Sequence, residues 1–564
     1  MAKPTIINGS NHFYTIVYEG TGAGLRVGKF IPFTDQSTLA HSLIFNVGDN
    51  PKLSREITTT GNRRTFTISA WVKRSNMGQN SYIFFAGESG NAYSRLWLDS
   101  SDLKLHFHST NSAGSNRMSI STTRTFEDKS RFYHIVVAVD TTQSTNSNKI
   151  KLYVDGEQIT SFSYSSYDGG TNYDTEVNKD NSYHYWGEAG HYSNEGLEGY
   201  LAQAIFVDGT AYGPDTFGIT DTSTGNWIPK TLGSITYGTN GSRLDFANTA
   251  GQTFGDDTSG QGNDYTVTNL TSGDLTTDTP TKNFAILDPS RSKSGFTFTE
   301  GNRKLATGNN TGLAFSTMRV YGTKFYFEAK LTGFTSGGGP SFGIAPEDTV
   351  VTTDPGSPGD GEGNKLMGYY SNQSDSAIVY RGAYYNDSGN GASVNDWVQM
   401  AFDGTDRSNQ KVYIGRNNTF YYEDASKGSF NADRPTFTFD GNNQRNARFY
   451  LSNRSGSSPA GSSTWENINF GTHSYNYTAP TGFGFLNQDT MTEVDEGKGD
   501  FVWVKNRDSA SFNHVLYDSS RGIHNYINSN TTGAQGTDSD GLTKFLKGGF
   551  LTEDAGYTNT SGNS

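Results

Sequence analysis

From residue 42 to residue 209 apolar side chains tend to recur at every second position, and no stretch there keeps a helical period of about 3.6 residues over three turns. In TFTISAWVK (65–73) this puts Phe66, Ile68, Ala70 and Val72 on one face. Thr65, Thr67, Ser69 and Lys73 fall mostly on the other, with Trp71 the exception. KIKLYVD (149–155) buries Ile150, Leu152 and Val154, and Asp155-Gly156 supplies the positive-φ pair of a two-residue hairpin. RFYHIVVAVD (131–140) and YLAQAIFVD (200–208) are more continuously apolar, as strands in the middle of a sandwich are. A chain patterned in this way folds into antiparallel sheets.

Composition supports many short strands and many turns. Gly is 67 of 564 residues, above the usual share of about 7%, and charged residues are 18% against a usual ~25%. The 13% aromatic content excludes wholesale disorder. At roughly 100–200 residues per domain the length predicts three or four domains. Net charge −13 argues against a grip on phosphate backbones, so nucleic acid is excluded as a partner. With no Cys, disulfides, thiolate zinc sites and thiol nucleophiles are all excluded. No run approaches the roughly 20 apolar residues a bilayer needs, and MAKPT opens no signal-peptide-like segment. The expectation is a soluble chain made in a cytoplasm, with no membrane insertion.

Domain limits follow from pattern breaks. Residues 1–41, with NHFYTIVY (11–18) and LRVGKFIPF (25–33), read as an N-terminal attachment arm whose hairpin is marginal alone. Residues 42–225 form a first sandwich and 226–290 an extension, within which TSGDLTTDTPT (271–281) reads as a low-complexity linker. A second sandwich, 291–475, opens with KFYFEAKL (324–331): Phe325, Phe327, Ala329 and Leu331 in, Lys324, Tyr326, Glu328 and Lys330 out. Residues 476–564 carry a partial β unit beginning at DFVWVK (500–505), shorter than the ~100 residues a full sandwich takes.

The segments SLIF (42–45), FTISAWVKR (66–74), HIVVAVD (134–140), LYVDG (152–156) and GYLAQAIFVDG (199–209) resemble, in order and spacing, the laminin-G or concanavalin-like lectin sandwiches of marine bacteriophage structural proteins. KFYFEAKL, FGIA, NDWVQMAFDGTD, KVYIGRNN and NINFG, within 322–471, resemble a SPRY domain. DFVWVKNRD and LYDSSRG are similar to a further lectin-like repeat of the same phage proteins, one that runs on past this point in relatives. The resemblance implies an all-β chain of several antiparallel β-sandwiches, concanavalin A-like/laminin-G and SPRY-like, joined by short linkers. It further implies a virion component, a tail or head fibre that binds host-surface glycan without catalysis. Such a fibre would be a homotrimer held to other virion proteins through the N-terminal arm. The alternatives are a capsid decoration protein and a polysaccharide-degrading enzyme.

Four residue sets are weighed for chemistry. Asp256, Asp257, Ser259, Asn263 and Asp264 crowd around Gly260 and Gly262, offering calcium the hard oxygens it takes; the competing reading is an Asx-rich turn whose carboxylates cap backbone N–H groups. Tyr164, Tyr167, Tyr173, Tyr183, Tyr185, Trp186 and Tyr192 lie among Asn, Asp and Gly between residues 161 and 196, and Tyr369, Tyr370, Tyr384, Tyr385, Tyr421 and Tyr422 make a similar cluster in the second sandwich. Tyr173, Tyr183, Trp186, Tyr384 and Tyr385 are the expected sugar contacts, against the alternative that such aromatics pack in the core. Glu493 and Asp495 have the two-residue spacing of paired glycosidase carboxyls, but the third carboxylate of the E-x-D-x-x-E pattern is absent. His106 and His108, two apart on a strand, share a face and read as a structural pair.

Overall fold

The computed structural model describes residues 39–552 apart from 88–91, 191–194, 222–225, 247–251, 321, 336–337, 347–348, 354–365, 372–374, 381–382, 389–390, 407–408, 425, 440–446, 456–460, 489–500, 506–512, 519–520, 522–523, 539–540 and 547–548. The N-terminal arm and Glu493 and Asp495 therefore lie outside the described residues. The regular elements described are strands and three single-turn 3₁₀ segments.

Two compact units emerge, the larger comprising Leu39–Thr216 and Gly233–Thr490. Its first half is a sandwich of two antiparallel sheets. Sheet A runs in the order Glu157–Ile159, Ile150–Val154, Tyr133–Asp140, Thr65–Arg74, Gly199–Asp208, Ser42–Phe45, Leu275–Thr276, with Ser242–Leu244 also on Gly199–Asp208. Sheet B runs Phe162–Ser166, Asn116–Thr125, Lys104–Thr110, Tyr93–Leu98, Ser81–Gly87, Ser182–Trp186, Lys52–Ile57, Thr266–Thr268. Between them lies one continuous apolar core that includes Phe66, Ile68, Val72, Phe84, Leu96, Phe107, Ile120, Val137, Leu152 and Phe206. The hairpin after Ile150–Val154 has Asp155 at φ 51° and Gly156 at φ 84°, the pair of positive angles read from the sequence.

The second half is again two sheets. Sheet C is ordered Leu287–Ser292, Gly312–Val320, Ala447–Ser455, Gly338–Pro346, Met367–Ser371, Asp375–Tyr380, Ala383–Ser388. Sheet D is ordered Thr297–Thr299, Lys304–Ala306, Ser463–Asn469, Lys324–Phe334, Trp397–Asp403, Gln410–Arg416, Thr419–Tyr421, Lys427–Gly428, with Phe437–Phe439 on Gln410–Arg416. Phe327 of sheet D stacks on Phe449 of sheet C at 5.3 Å, and Trp465 meets Phe342 edge-on at 6.4 Å.

The structure corrects two expectations of strand burial. Thr65–Arg74 is buried along both faces, Lys73 included, and so is Lys324–Phe334 through Tyr326 and Glu328. On sheet D the outer face carries a second apolar cluster, Tyr326, Tyr413, Phe420, Tyr422 and Phe483, with Tyr475 and Ala479 packed against it. Residues 475–483 thus belong with the second sandwich. Within the block read as extension and linker, Ser242–Leu244 and Leu275–Thr276 join sheet A, Thr266–Thr268 sheet B and Leu287–Ser292 sheet C. Its supposed low-complexity part is a strap whose Asp278 is fully buried.

The smaller unit comprises, among the described residues, those of Phe217–Leu232 and Met491–Ser564. Its described C-terminal part is a four-stranded antiparallel sheet, Phe501–Val504, Val515–Asp518, Asn525–Asn528 and Gly536–Thr537, plus the pair Leu542–Leu546 and Gly549–Thr552. Val502, Val504, Val515, Tyr517 and Leu542 form a small core. Phe501 and Trp503, alternating with the two valines, are exposed.

Candidate ligand-binding face

In the Asx-rich loop the carboxylates accept protein donors. Both oxygens of Asp257 are occupied: Oδ1 accepts from the backbone N–H of Arg243 (2.9 Å) and Ser259 (2.8 Å), Oδ2 from Ser259 Oγ (2.8 Å) and the Asn263 N–H (2.9 Å). Asp264 accepts the Asp257 N–H, Asp256 accepts Thr253 Oγ1, and Asn263 Nδ2 donates to the Thr239 and Gly241 carbonyls. With Asp257 saturated by protein donors and Asp256 and Asp264 each accepting one on Oδ1, the arrangement fits the Asx-turn reading of the loop. Asp257→Ala should lower the unfolding free energy by about 2 kcal/mol, since three backbone donors lose their acceptor. The loss should be the same with calcium or chelator present in a urea titration; a calcium-dependent loss would restore the metal reading.

Trp186 is also corrected. It sits fully buried in the sandwich core, because its position in Ser182–Trp186 shares the inward face with Ser182 and His184. Tyr173 packs on that core too, its ring against Gly169 and its hydroxyl donating to the Thr110 carbonyl. Tyr384 and Tyr385 lie in the strand Ala383–Ser388, and their side chains are outside the described residues. Tyr183 alone keeps an outward position: half-buried, it stacks on Tyr185 at 5.6 Å on the outer face of sheet B.

That outer face holds the densest chemistry of the first sandwich. Antiparallel pairing aligns Tyr82, Trp97, His106, Ser121 and Tyr164 in one row across five strands. The next row aligns Tyr185, Phe85, Arg95, His108 and Ser119. The Arg95 guanidinium lies 4.2 Å from the Trp97 ring centre and 4.8 Å from that of Tyr93, and its Nη1 donates to Tyr82 Oη at 3.2 Å. Trp97, held also against His106 at 4.6 Å, is a buried filler. The groups left toward solvent include Tyr164, 43% exposed with Asn116 Nδ2 donating to its hydroxyl at 3.4 Å, and half-buried Tyr93, Arg95, His108, Tyr183 and Tyr185.

His106 and His108 do share this face, their rings 5.6 Å apart. His106 Nδ1 is 2.7 Å from Ser121 Oγ and Nε2 is 3.0 Å from Asp102 Oδ1. Burial first, then the neighbouring His106 and Arg95, push His108 down to about 3, so it is neutral at pH 7. Asp99, Asp102 and His106 come close enough to share an ion, but each is committed. Against the cost of burial, hydrogen bonds from Ser101 and Trp97 hold Asp99 down at about 2, and Asp102 takes His106 and the Lys104 N–H.

The sequence signal for this face was the alternation itself: YSRLWL and KLHFH put Tyr93, Arg95, Trp97, His106 and His108 opposite the core leucines and Phe107. Only registering the two strands shows that they form one surface.

Residues 475–564 match a family model described as a domain of unknown function (DUF7483). No curated protein matches the chain. Among solved structures, the LG4-5 domains of the mouse laminin α1 chain align at 10% identity over 83% of this chain and 91% of theirs, with a TM-score of 0.26. A pentraxin from Limulus polyphemus aligns at 17% identity over 31% of this chain and 80% of its own (TM-score 0.24). The SPRY domain of human HERC1 aligns at 10% identity over 32% and 95% (TM-score 0.22). Residues 48–203 match the family model of the concanavalin A-like lectin/glucanases superfamily, and the first sandwich has this concanavalin A-like, laminin-G fold.

Proposed function

We propose that the protein is a bacteriophage virion component, a tail or head fibre that binds host-surface carbohydrate without breaking it. The observation that carries the binding reading is the outer face of sheet B, where Tyr164 beside Asn116, and Tyr183 beside Tyr185, offer apolar ring faces next to polar groups. Sugars present the same alternation of apolar face and polar edge. The lectin-type fold of the first sandwich supports binding, and the resemblance of residues 42–209 to phage structural proteins supports the virion setting. Under this reading the N-terminal arm engages other virion proteins and the chain assembles as a homotrimer. Mass photometry returning monomers would reject the trimer.

Tyr164→Ala and Tyr183→Ala should each weaken binding to host-envelope polysaccharide by about tenfold, the worth of one stacked ring, with no change in thermal midpoint. The polymer should be recovered at its original length. Binding indifferent to both substitutions would sink the reading, and released oligosaccharide would favour a polysaccharide-degrading enzyme instead.

A further inference from the structure

A second recess lies in the larger unit, away from the outer face of sheet B. It is a cleft of about 450 Å³ between the chain entering Leu275–Thr276, the turn before Lys304–Ala306 and the end of Ser463–Asn469. That volume is in the range of small-molecule sites, roughly 300–1,000 Å³.

Several lining groups are spent on architecture. Glu328 accepts the N–H groups of Asn476 and Tyr477, and Asn469 bonds the His473 and Ser474 carbonyls. Others are less committed. The Glu300 carboxylate has neighbouring charges but no hydrogen-bond donor among the described residues, while the Arg303 guanidinium lies with Nη1 3.2 Å from His473 Nε2 and its Nε buried with no partner. Asn467 is exposed, and Trp397 lines the wall half-buried.

The backbone around these groups is held in uncommon angles. Glu300, Gly301 and Asn302 all have positive φ (57°, 62° and 65°), as does Asn467 (50°). Left-handed non-glycine residues cost energy and persist where their surroundings fix them. Here Tyr200 Oη donates to the Gly301 carbonyl at 2.6 Å and Asn302 Nδ2 to the Ser75 carbonyl at 3.1 Å. The first sandwich therefore clamps a turn of the second, and the clamp aims Glu300 and Arg303 into the cleft.

We propose that this cleft is a binding site for a short neutral oligosaccharide, independent of the sheet B face. A carboxylate accepting hydroxyls, a guanidinium and an amide donating to them, and an indole wall suit a polyol. The acids Asp274, Glu300 and Glu328 outnumber the single Arg303, which disfavours an anionic ligand.

The test is calorimetric titration of the full chain with maltotriose, cellotriose, mannotriose and chitotriose, each to about 10 mM, where a millimolar Kd saturates. At least one should bind, with affinity lowered about tenfold by Trp397→Ala and by Glu300→Ala and unchanged by Tyr164→Ala. Trp397→Phe, which keeps a ring and the fold, should retain most of the affinity. Binding lost only through Tyr164→Ala would overturn the cleft and leave the sheet B reading standing. No saturable binding of any of the four would overturn it as well.

Discussion

Lys73→Met is expected to cost about 3–5 kcal/mol of unfolding free energy, the usual penalty for leaving one member of a buried ion pair alone. The Lys73 and Asp278 side chains are both fully buried, 2.7 Å apart. The Lys73 ammonium also donates to Asn283 Oδ1 at 2.8 Å and lies 5.1 Å from the Tyr200 ring centre. Asp278 Oδ1 takes the Phe284 N–H at 3.2 Å. Together these bonds tie the 278–284 strap, which leads from the first sandwich into the second, onto the central strand of sheet A. With methionine at 73, Asp278 keeps one backbone donor and no countercharge. Lys73→Met combined with Asp278→Leu should recover most of the loss, because no unpaired charge remains. The measurement is a urea transition followed by tryptophan fluorescence. A single variant with wild-type midpoint would mean that the strap contributes nothing, and a double variant as weak as the single would mean that packing, not charge, is at stake.

This strap also shows where the sequence stops being readable. Alternation in TFTISAWVK and KFYFEAKL says which residues share a face, and those assignments hold: Phe66, Ile68, Ala70 and Val72 do line the core. It does not say what covers the opposite face. Trp71 and Tyr326, large rings at nominally outward positions, were the clue that something would: Tyr326 is covered by residues read as the next domain, and Lys73, on the same face as Trp71, by the strap that begins in the segment read as linker. Trp186 failed as a sugar contact for the same reason, since a loop-like composition around it concealed a core strand. The Asx-rich loop was legible in kind, but oxygen count alone cannot separate an ion cage from a turn whose donors are its own backbone. The outer face of sheet B was half legible, its residues chosen by parity and its rows by a register that no local pattern encodes.

Buried histidines lead to the second large effect, a loss of stability below neutral pH. His134 and His184 are fully buried and pushed by that burial down to about 3 from an ordinary 6.5. His184 Nε2 already accepts the Asn178 N–H at 3.1 Å, so protonation there breaks a bond as well as burying a charge. Between pH 6.5 and about 3 the unfolded chain binds a proton at each that the folded chain refuses. Stability is therefore full above 6.5 and falls as pH falls, by about 1.4 kcal/mol per unit for each histidine. Glu198 runs the other way: burial raises it to about 7, so from 4.5 to 7 it adds stability as pH falls, again about 1.4 kcal/mol per unit. Those three groups leave a net loss of about 1.4 kcal/mol per unit. His108, held at about 3, and His473, held at about 4, act in the same direction as His134 and His184, while Glu188, Asp278, Glu300 and Glu328, all raised by burial, act with Glu198 and offset part of the loss. The histidine contribution is therefore isolated by comparing the slopes of urea midpoints between pH 7 and pH 5 in wild type and variant. His134→Gln, with no proton to gain, should reduce the slope by about 1.4 kcal/mol per unit even if it lowers stability at pH 7. A His134→Gln variant with the wild-type slope would show that this ring is not excluded from solvent as the structure has it.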